Sequence, residues 1–381
     1  MLKLHDICHG FFVVTGKLFT KFEAFNNAPL WKGSASMKRL VVCCDGTWNR
    51  LGRYPTNVVK IAQAVKPFAR DGKAQVVYYQ QGLGTKWYDR VPGGAFGWGI
   101  DYNIQNAYQF LCFNYEPGDE VYLFGFSRGA YTARSLAGMI YCSGLLTRQH
   151  IDKVPHAYDL YRDRDITPDA IQAKNFRSQY GIRYNESDQI PITLLGCWDT
   201  VGSLGIPDLF PFLPVADLVN AKYRFHNTRL NRMIQNAIHA VAIDERRKVF
   251  NVTPMQQSAS NPNQTLRQVW FPGGHGCVGG GTEQHCKLSD AALKWMIDEV
   301  AQLGLKLEFD MTRIRGELVY DPLIPFNASP GFFGLAGLHD RVIPRKDPHN
   351  TLHDSVKIRW RSLPDYRPVS LLPFRDQLNS Q

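Results

Sequence analysis

Short apolar runs alternate along the chain with segments in which apolar residues recur at helical spacing. The short runs have the length of buried strands and lie at Leu40–Cys44, Gln75–Tyr79, Glu120–Phe124, Ile192–Cys197 and Leu266–Phe271. The helical pattern occurs at Val58–Val65, Ile104–Phe113, Ala130–Ile140, Leu230–Val241 and Leu288–Leu303. Strands that alternate with helices predict an α/β fold, in which a mostly parallel sheet carries helices on both faces.

Changes in this pattern divide the 381 residues into regions. We interpret residues 1–36 as an N-terminal extension, because the densely apolar pattern begins only after Met37. One domain is then expected over residues 37–381. Inserted cap segments are predicted near 147–188 and 207–226, followed by an irregular C-terminal tail rich in Pro, Gly and aromatic residues.

A candidate nucleophile stands where the strand Glu120–Phe124 meets the following helix. Gly125-Phe126-Ser127-Arg128-Gly129 matches the pattern G-x-S-x-G, in which the serine occupies a sharp strand-to-helix turn. Gly125 and Gly129, as elbow glycines, leave room for the helix to pack against neighbouring strands. We therefore predict that Ser127 is a nucleophile and that the Arg128 N–H is the first oxyanion donor. The alternative is a structural turn with a capping serine.

A serine nucleophile requires a histidine base and a carboxylate that orients it. With this elbow the chain order is Ser, then Asp or Glu, then His. Asp199 follows the strand Ile192–Cys197, and His275 follows the strand Leu266–Phe271. Both side chains are therefore expected at the carboxyl edge of the sheet, where α/β proteins build their sites.

Other residues compete for these two roles. Asp244, in a charged run that we interpret as a helix or its end, is a rival acid that could instead belong to a salt-bridge network. His353 is the main rival base, although no strand is predicted before it; its other role would be a hydrogen bond that holds the tail. His239, on the apolar side of the predicted helix Leu230–Val241, is interpreted as a core histidine.

The second oxyanion donor should come from the loop after the first strand. Gly46 and Thr47 occupy that place, and Gly46 permits close approach of the backbone. An Asx turn capped by Asp45 is compatible with the same sequence. No glycine-rich phosphate loop follows a strand, so no nucleotide cofactor is expected.

A metal site is the remaining alternative at the proposed base. His275, Cys277, His285 and Cys286 supply nitrogen and sulfur ligands, but their spacing fits no zinc pattern. We therefore expect neither a metal nor a cofactor.

Composition narrows the functional classes. Lys and Arg outnumber Asp and Glu by 44 to 34, giving a net charge of +10, which favours an anionic partner such as a lipid surface or nucleic acid. No nucleic-acid motif occurs, so the lipid surface is preferred. No apolar run is long enough to span a membrane, and Phe11–Val14 is too short for a signal peptide, so we expect synthesis in the cytoplasm. The eight cysteines are sparse, and several lie in apolar runs, which indicates mostly reduced, buried thiols.

These residues resemble a known bacterial family, the α/β-hydrolase catalytic domain of type VI secretion phospholipase effectors and their uncharacterised relatives. The resemblance covers roughly residues 37–305 and extends into the tail. It rests on nine segments that follow one another in the order expected for the family: CDGTWN, TNVVKIAQA, YYQQGLGT, FGWGIDYNIQNAYQFL, GFSRGAYTARSLAGMI, CWDTVGSLG, HAVAIDERR, VWFPGGHGCVGGG and LSDAALKWMIDE.

The resemblance implies a Ser-His-Asp triad of Ser127, His275 and Asp199 and hydrolysis of lipid esters. It also implies delivery into target cells by a type VI system, with an immunity or adaptor protein as partner. One position departs from the family pattern: Cys277 stands where many relatives have an Asp.

Three functional hypotheses follow. The first is a serine hydrolase acting on lipid esters, phospholipids in particular, with Phe96, Trp98, Phe210, Phe212 and Leu213 as candidate lipid contacts. The second is an esterase acting on a soluble substrate. The third is a catalytically silent hydrolase-fold binding module, which only the Cys277 departure supports.

Overall fold

Seven parallel strands form one sheet within the part of the chain that the structure describes. This computed structural model describes residues 37–46, 54–82, 95–185, 187–202, 229–327, 329–331, 334–335 and 337–380, with the backbone alone at 95–98 and 284–286. The strands are β1 (Arg39–Cys44), β2 (Gln75–Gln80), β3 (Glu120–Phe126), β4 (Ile192–Trp198), β5 (Ile234–Ala242), β6 (Thr265–Phe271) and β7 (Asn350–Leu352). Their order across the sheet is β2-β1-β3-β4-β5-β6-β7.

Helices cover both faces of this sheet. They are α1 (Asn57–Ala64), α2 (Ala95–Asn114), α3 (Arg128–Ser143), α4 (Val154–Arg162), α5 (Ile171–Tyr180), α6 (His275–Gly279), α7 (Glu283–Gln302), α8 (Asp354–Ser362) and α9 (Arg375–Asn379). One apolar core lies between the sheet and α2 to α5, and a second lies between the sheet and helices α1 and α7. The predicted fold class, an α/β hydrolase with a parallel sheet and helices on both faces, is confirmed.

Strand β1 shows why the short runs are apolar at every position. Leu40 and Val42 enter the core on the α2–α5 side, whereas Val41 and Cys43 enter the core on the α1–α7 side. Because successive side chains of a strand point to opposite faces, a strand covered on both sides must be apolar throughout.

The prediction of a helix over Leu230–Val241 is wrong. This segment contains β5, which lies between β4 and β6 and is hydrogen-bonded to both. Its sequence, IQNAIHAVA, is apolar at nearly all of its later positions. A continuous apolar run does not distinguish a strand buried on both faces from a buried helix, and here the strand is formed.

The C-terminal tail is more regular than its composition suggested. It contributes β7, which pairs with β6, and then α8 and α9. Val356, Trp360, Leu371 and Leu378 of this tail form a third apolar cluster with the outer strands of the sheet. The prediction that no strand precedes His353 is therefore wrong, since β7 ends at the residue before it.

The two predicted insertions have different outcomes. The first, near 147–188, contains α4 and α5, and their apolar side chains join the core on the α3 side of the sheet. The second, near 207–226, and the N-terminal extension 1–36 lie outside the described residues. The described residues from Met37 onward belong to one compact unit, and the domain boundary at residue 36 remains a prediction.

A buried ion pair joins α1 to α7. Lys60 donates to an Asp290 oxygen, and both side chains are almost completely buried. The Val319 N–H donates to the other Asp290 oxygen at 2.8 Å, so the carboxylate also fixes the segment after α7. Removing one member of such a pair leaves an uncompensated charge in the interior.

We predict that Lys60→Met lowers the free energy of unfolding by about 3–5 kcal/mol, because Asp290 then remains buried without its partner. Lys60→Met combined with Asp290→Leu should recover much of that loss, since both charges are gone. Denaturant unfolding followed by circular dichroism measures both values. Lys294→Met is the control: its pair with Asp298 is about half exposed, so its loss should cost less than about 1 kcal/mol. Equal losses for Lys60→Met and Lys294→Met would contradict the prediction.

Candidate active site

The turn between β3 and α3 has the strained geometry of a nucleophile elbow. Ser127 has φ 58° and ψ −124°, a conformation that non-glycine residues rarely adopt. A Cβ atom on Gly125 would lie 2.5 Å from the Gly129 carbonyl oxygen, and one on Gly129 would lie 2.1 Å from the Cys44 carbonyl oxygen. Larger side chains therefore cannot occupy either position without moving the backbone, which explains the glycine spacing that the motif predicts.

Strand register brings the ends of β3, β4 and β5 together. Phe126 pairs with Trp198, and the Ser127 N–H continues the ladder with a bond of 3.0 Å to the Trp198 carbonyl oxygen. The Asp199 N–H likewise donates to the Ala240 carbonyl oxygen at 2.8 Å. Ser127 and Asp199 thus occupy equivalent places at the carboxyl edge of neighbouring strands.

The structure brings Ser127, His275 and Asp199 into one hydrogen-bonded line. His275 Nε2 lies 2.8 Å from Ser127 Oγ, and His275 Nδ1 lies 2.5 Å from Asp199 Oδ2. All three residues are buried, Asp199 completely. With its proton on Nδ1, the imidazole donates to the carboxylate and can accept the serine proton at Nε2.

Two aromatic rings pack against the imidazole of His275. The centroid of the His275 ring lies 4.6 Å from that of Phe126 and 4.9 Å from that of Phe250. The backbone of the same residue is fixed as well, because the His275 N–H donates to Glu245 Oε2 at 3.1 Å. The orientation of the base is therefore set by packing as well as by hydrogen bonds.

A buried arginine from the tail contacts the Asp199 carboxylate. Arg341 Nη1 lies 2.6 Å from Asp199 Oδ1, and Arg341 Nη2 lies 3.1 Å from Oδ2. Burial alone would raise the pKa of Asp199, but the guanidinium of Arg341 and the bond from His275 outweigh burial. Together they hold the pKa of this carboxyl well below its ordinary value, so the group is ionised at neutral pH.

The structure describes two of the three predicted oxyanion donors, Arg128 and Gly46. Arg128 is the first residue of α3 and directly follows Ser127, the N-cap of this helix. The Gly46 N–H donates to Asp45 Oδ1 at 2.7 Å. This bond joins adjacent residues, whereas an Asx turn requires a bond from the N–H two residues after Asp45. Thr56 and Tyr79 hydroxyls hold the other oxygen of the Asp45 carboxylate. Thr47 lies outside the described residues.

The rival acid and bases have other partners. Asp244 accepts hydrogen bonds from the Gly273 N–H at 2.6 Å and the Tyr366 hydroxyl at 2.9 Å, so it joins the loop before His275 to the tail. His353 caps α8, its Nδ1 accepting from the Ser355 N–H. His239 lies buried in β5, and desolvation by burial, with the nearby Arg134 charge, lowers its pKa to about 4.

Cys277 lies close to the candidate base without touching the reacting atoms. It is buried in α6, and its side chain fills the space beside Gly273. Burial raises the pKa of its thiol to about 12. Six cysteines are described (43, 44, 112, 142, 197 and 277), and all are free and buried, as the apolar runs predict.

The described residues contain no cluster of ligands suited to a metal ion. Both ring nitrogens of His275 already face Ser127 and Asp199. The side chains of His285 and Cys286, which the metal alternative requires, lie outside the described residues. Among the helices within the described ranges, none has the length and hydropathy of a membrane span.

The sequence did not predict the residues that hold Asp199 and His275 in place. Glu245 and Phe250 follow β5, for which the sequence predicts a helix, and in this segment only Asp244 is a candidate site residue. Arg341 lies 142 positions from Asp199 in a segment without periodicity, and no local pattern connects the two.

Comparison with known proteins identifies the family to which most of the chain belongs. Residues 38–299 match the family model described as T6SS, Phospholipase effector Tle1-like, catalytic domain. An uncharacterized protein of Saccharomyces cerevisiae is 31% identical over 246 residues, a match that covers 58% of this chain and 34% of that protein.

Solved structures give weaker matches. A crystal structure of an uncharacterized protein from Pseudomonas aeruginosa has a TM-score of 0.44 and 17% identity, covering 76% of this chain and 50% of that one. The Tle1 effector bound to the VgrG spike of the type 6 secretion system has a TM-score of 0.35 and 18% identity, covering 64% of this chain and 51% of that one. The chain therefore spans about a third of the yeast relative's length and about half of these two solved chains.

The family model covers most of the chain, from β1 to the last turn of α7, and includes Ser127, Asp199 and His275. The chain belongs to the family of Tle1-like catalytic domains of type VI secretion phospholipase effectors.

Proposed function

We propose that this protein is a serine hydrolase that cleaves the carboxylic ester bonds of lipids, phospholipids in particular. The observation that carries the proposal is the unbroken line of hydrogen bonds from Ser127 through His275 to the ionised Asp199. The family match supports a lipase- or phospholipase-like hydrolase in general. The line of bonds supports a covalent serine mechanism within that class.

The mechanism follows from the role of each group. Ser127 Oγ attacks the acyl carbonyl carbon while its proton passes to His275 Nε2. Asp199 stabilises the imidazolium that forms and keeps the ring in the correct tautomer. The tetrahedral intermediate then expels the alcohol, which takes the proton from Nε2 and leaves an acyl group on the serine. A water molecule, deprotonated by the same nitrogen, releases the fatty acid and restores Ser127.

The oxyanion is assigned to backbone donors at the same edge of the sheet. The Arg128 N–H is the first, because the start of α3 presents its N–H groups beside Ser127. The second is assigned to the loop that contains Gly46 and Thr47. Since the Gly46 N–H donates to Asp45 Oδ1, the use of this N–H would require that bond to open.

Three features support a lipid substrate. The family is one of phospholipase effectors, the net charge of +10 favours an anionic surface, and several aromatic residues flank the predicted site in sequence. The candidate contacts Phe210, Phe212 and Leu213, and the side chains of Phe96 and Trp98, lie outside the described part of the chain. From its family we propose delivery by a type VI system, and an immunity or adaptor protein as partner stays a prediction of the sequence resemblance.

The Cys277 departure does not favour the silent binding module. Its thiol packs beside Gly273, whereas Ser127 and Asp199 hold both nitrogens of the base. The hydrogen bonds that catalysis requires are therefore present without an Asp at this position.

We predict that a fluorophosphonate probe labels the wild-type protein and that Ser127→Ala abolishes labelling, because the probe reacts with an activated serine. Gel fluorescence and mass spectrometry of the labelled peptide measure the effect. Ser135→Ala, about two turns further along α3, is the control and should label like wild type. Labelling that persists in Ser127→Ala, or is absent in folded wild type, would reject the covalent mechanism.

The two candidate acids are separated by matched amide substitutions. Asp199→Asn should reduce kcat on a short-chain ester by roughly 10³–10⁴-fold, because the imidazole loses the partner that fixes its tautomer. Asp244→Asn keeps a similar shape and should reduce kcat by less than about 10-fold. The reverse ranking of the two variants would transfer the acid role to Asp244.

Vesicle assays test the lipid substrate. We expect faster release of fatty acid from phosphatidylglycerol vesicles than from phosphatidylcholine vesicles, because the basic protein is attracted to an anionic surface. Raising NaCl from 50 to 500 mM should reduce this preference by screening, while hydrolysis of a soluble short-chain ester stays nearly constant. Hydrolysis of the short-chain ester without release of fatty acid from either kind of vesicle would favour an esterase that acts on a soluble substrate.

A further inference from the structure

The Asp199 carboxylate is saturated with hydrogen-bond donors. Oδ1 accepts from Arg341 Nη1 at 2.6 Å and from the Ala242 N–H at 3.0 Å. Oδ2 accepts from His275 Nδ1 at 2.5 Å and from Arg341 Nη2 at 3.1 Å. A carboxylate offers about four acceptor positions, and Arg341 fills two of them. A single tail residue therefore supplies half of the donors on the candidate catalytic acid.

Arg341 is itself fixed by the loops that surround the site. Its Nη1 also donates to the Ala242 carbonyl oxygen at 2.7 Å, and its Nη2 donates to the Phe250 carbonyl oxygen at 2.6 Å. Phe250 packs its ring against His275. One guanidinium thus connects the acid to the residue that packs on the base.

The backbone explains how a tail residue reaches this position. The Lys248 N–H donates to the Gly337 carbonyl oxygen at 3.0 Å, and the His339 N–H donates to the Arg246 carbonyl oxygen at 2.8 Å. These bonds align the segment before Arg341 with the segment after β5. Only about 3% of the arginine remains exposed, so its charge is paired inside the protein rather than at the surface.

From these contacts we infer that Arg341 is a positioning residue for the triad acid, and that the active site is completed by the tail beyond the matched catalytic domain. The inference rests on the proposed function, because it assigns Asp199 the role of acid. The hydrogen bonds of Arg341 go to Asp199, Ala242 and Phe250, and none of them goes to Ser127. It acts through Asp199 by fixing the plane of the carboxylate and by holding it ionised.

The charge of Arg341 has two opposite effects. It stabilises the Asp199 carboxylate, and it repels the imidazolium that forms on His275 during the reaction. The guanidinium touches the carboxylate, whereas the imidazole lies beyond that carboxylate, and the Coulomb energy falls with distance. Stabilisation of the ionised acid therefore dominates, and the loss of Arg341 should reduce activity.

A second contact shows that the tail also supports the base. The Tyr366 hydroxyl donates to Asp244 Oδ2, which accepts from the Gly273 N–H in the loop before His275. Tyr366 and Arg341 both lie outside residues 38–299. Independent contacts from the tail thus reach the loops that carry the acid and the base.

Arg341→Gln and Arg341→Lys test the inference on a soluble short-chain ester, with active sites counted by fluorophosphonate titration. We expect kcat per titrated site to fall about 10–100-fold in Arg341→Gln, with little change in KM, and to fall less in Arg341→Lys, which keeps the charge. Arg39→Gln is the matched control. Arg39 is also a buried arginine that pairs with carboxylates, those of Asp71 and Glu120. It lies at the start of β1, at the opposite edge of the sheet from Asp199, so kcat per site should stay within about threefold of wild type.

The pH profile supplies a readout that a merely structural role would not change. Because His275 must be unprotonated to accept the serine proton, the acid side of the profile reports the coupled pair His275–Asp199. Removing the Arg341 cation favours the protonated pair, so activity in Arg341→Gln should be lost at a higher pH than in wild type, by about one pH unit or more, and the shift should be smaller in Arg341→Lys. The other charged or titratable groups nearby are His239, Asp244, Glu245, Arg134 and Arg247, and they are the same in all variants.

Each possible result either supports or rejects the positioning role of Arg341. If both Arg341 variants keep wild-type kcat per site and a wild-type pH profile, the positioning role is rejected while the triad stands. If Arg341→Gln does not fold, Arg341→Lys decides by the same two measurements. If wild type itself fails to label with the probe, the triad is rejected and the inference is rejected with it.

Discussion

A carboxylate that is completely buried must be surrounded by donors, because an unpaired charge in the interior would cost far more than a folded domain can tolerate. Asp199 meets this condition through elements that are distant in sequence: the end of β5, the start of α6 and the C-terminal tail. The need to satisfy one acid therefore determines which segments converge at the carboxyl edge of the sheet. The base, its aromatic neighbours and the tail are placed by the same requirement.

Close approach of main chains is the second constraint. Gly129 brings the first turn of α3 against the end of β1, where the Cys44 carbonyl oxygen leaves no room for a side chain. This contact joins the nucleophile elbow to the loop of Asp45 and Gly46 without any intervening side chain. The strain at Ser127 is tolerated because β3, β1 and α3 are fixed around it.

The central site could be predicted because its signals are local. Ser127 has a motif with steric causes, and Asp199 and His275 each directly follow a strand. The supporting residues could not be predicted in the same way. β5 is apolar along most of its length, so the spacing of its apolar residues does not distinguish a strand from a helix. Because the segment was predicted as a helix, the contacts that Glu245 and Phe250 make with His275 were not predicted. Arg341 reaches Asp199 through tertiary packing of a tail whose composition resembles a loop, and only the folded chain shows the contact.

Strand β7 has a consequence for how the molecule meets other chains. A sheet edge exposes N–H and C=O groups that can pair with a strand from another molecule. On the β6 side, this edge is covered by a strand of only three residues, which is followed at once by the helix α8. So short a strand offers little template for further pairing. The tail that reaches the acid therefore also protects the sheet against edge-to-edge association.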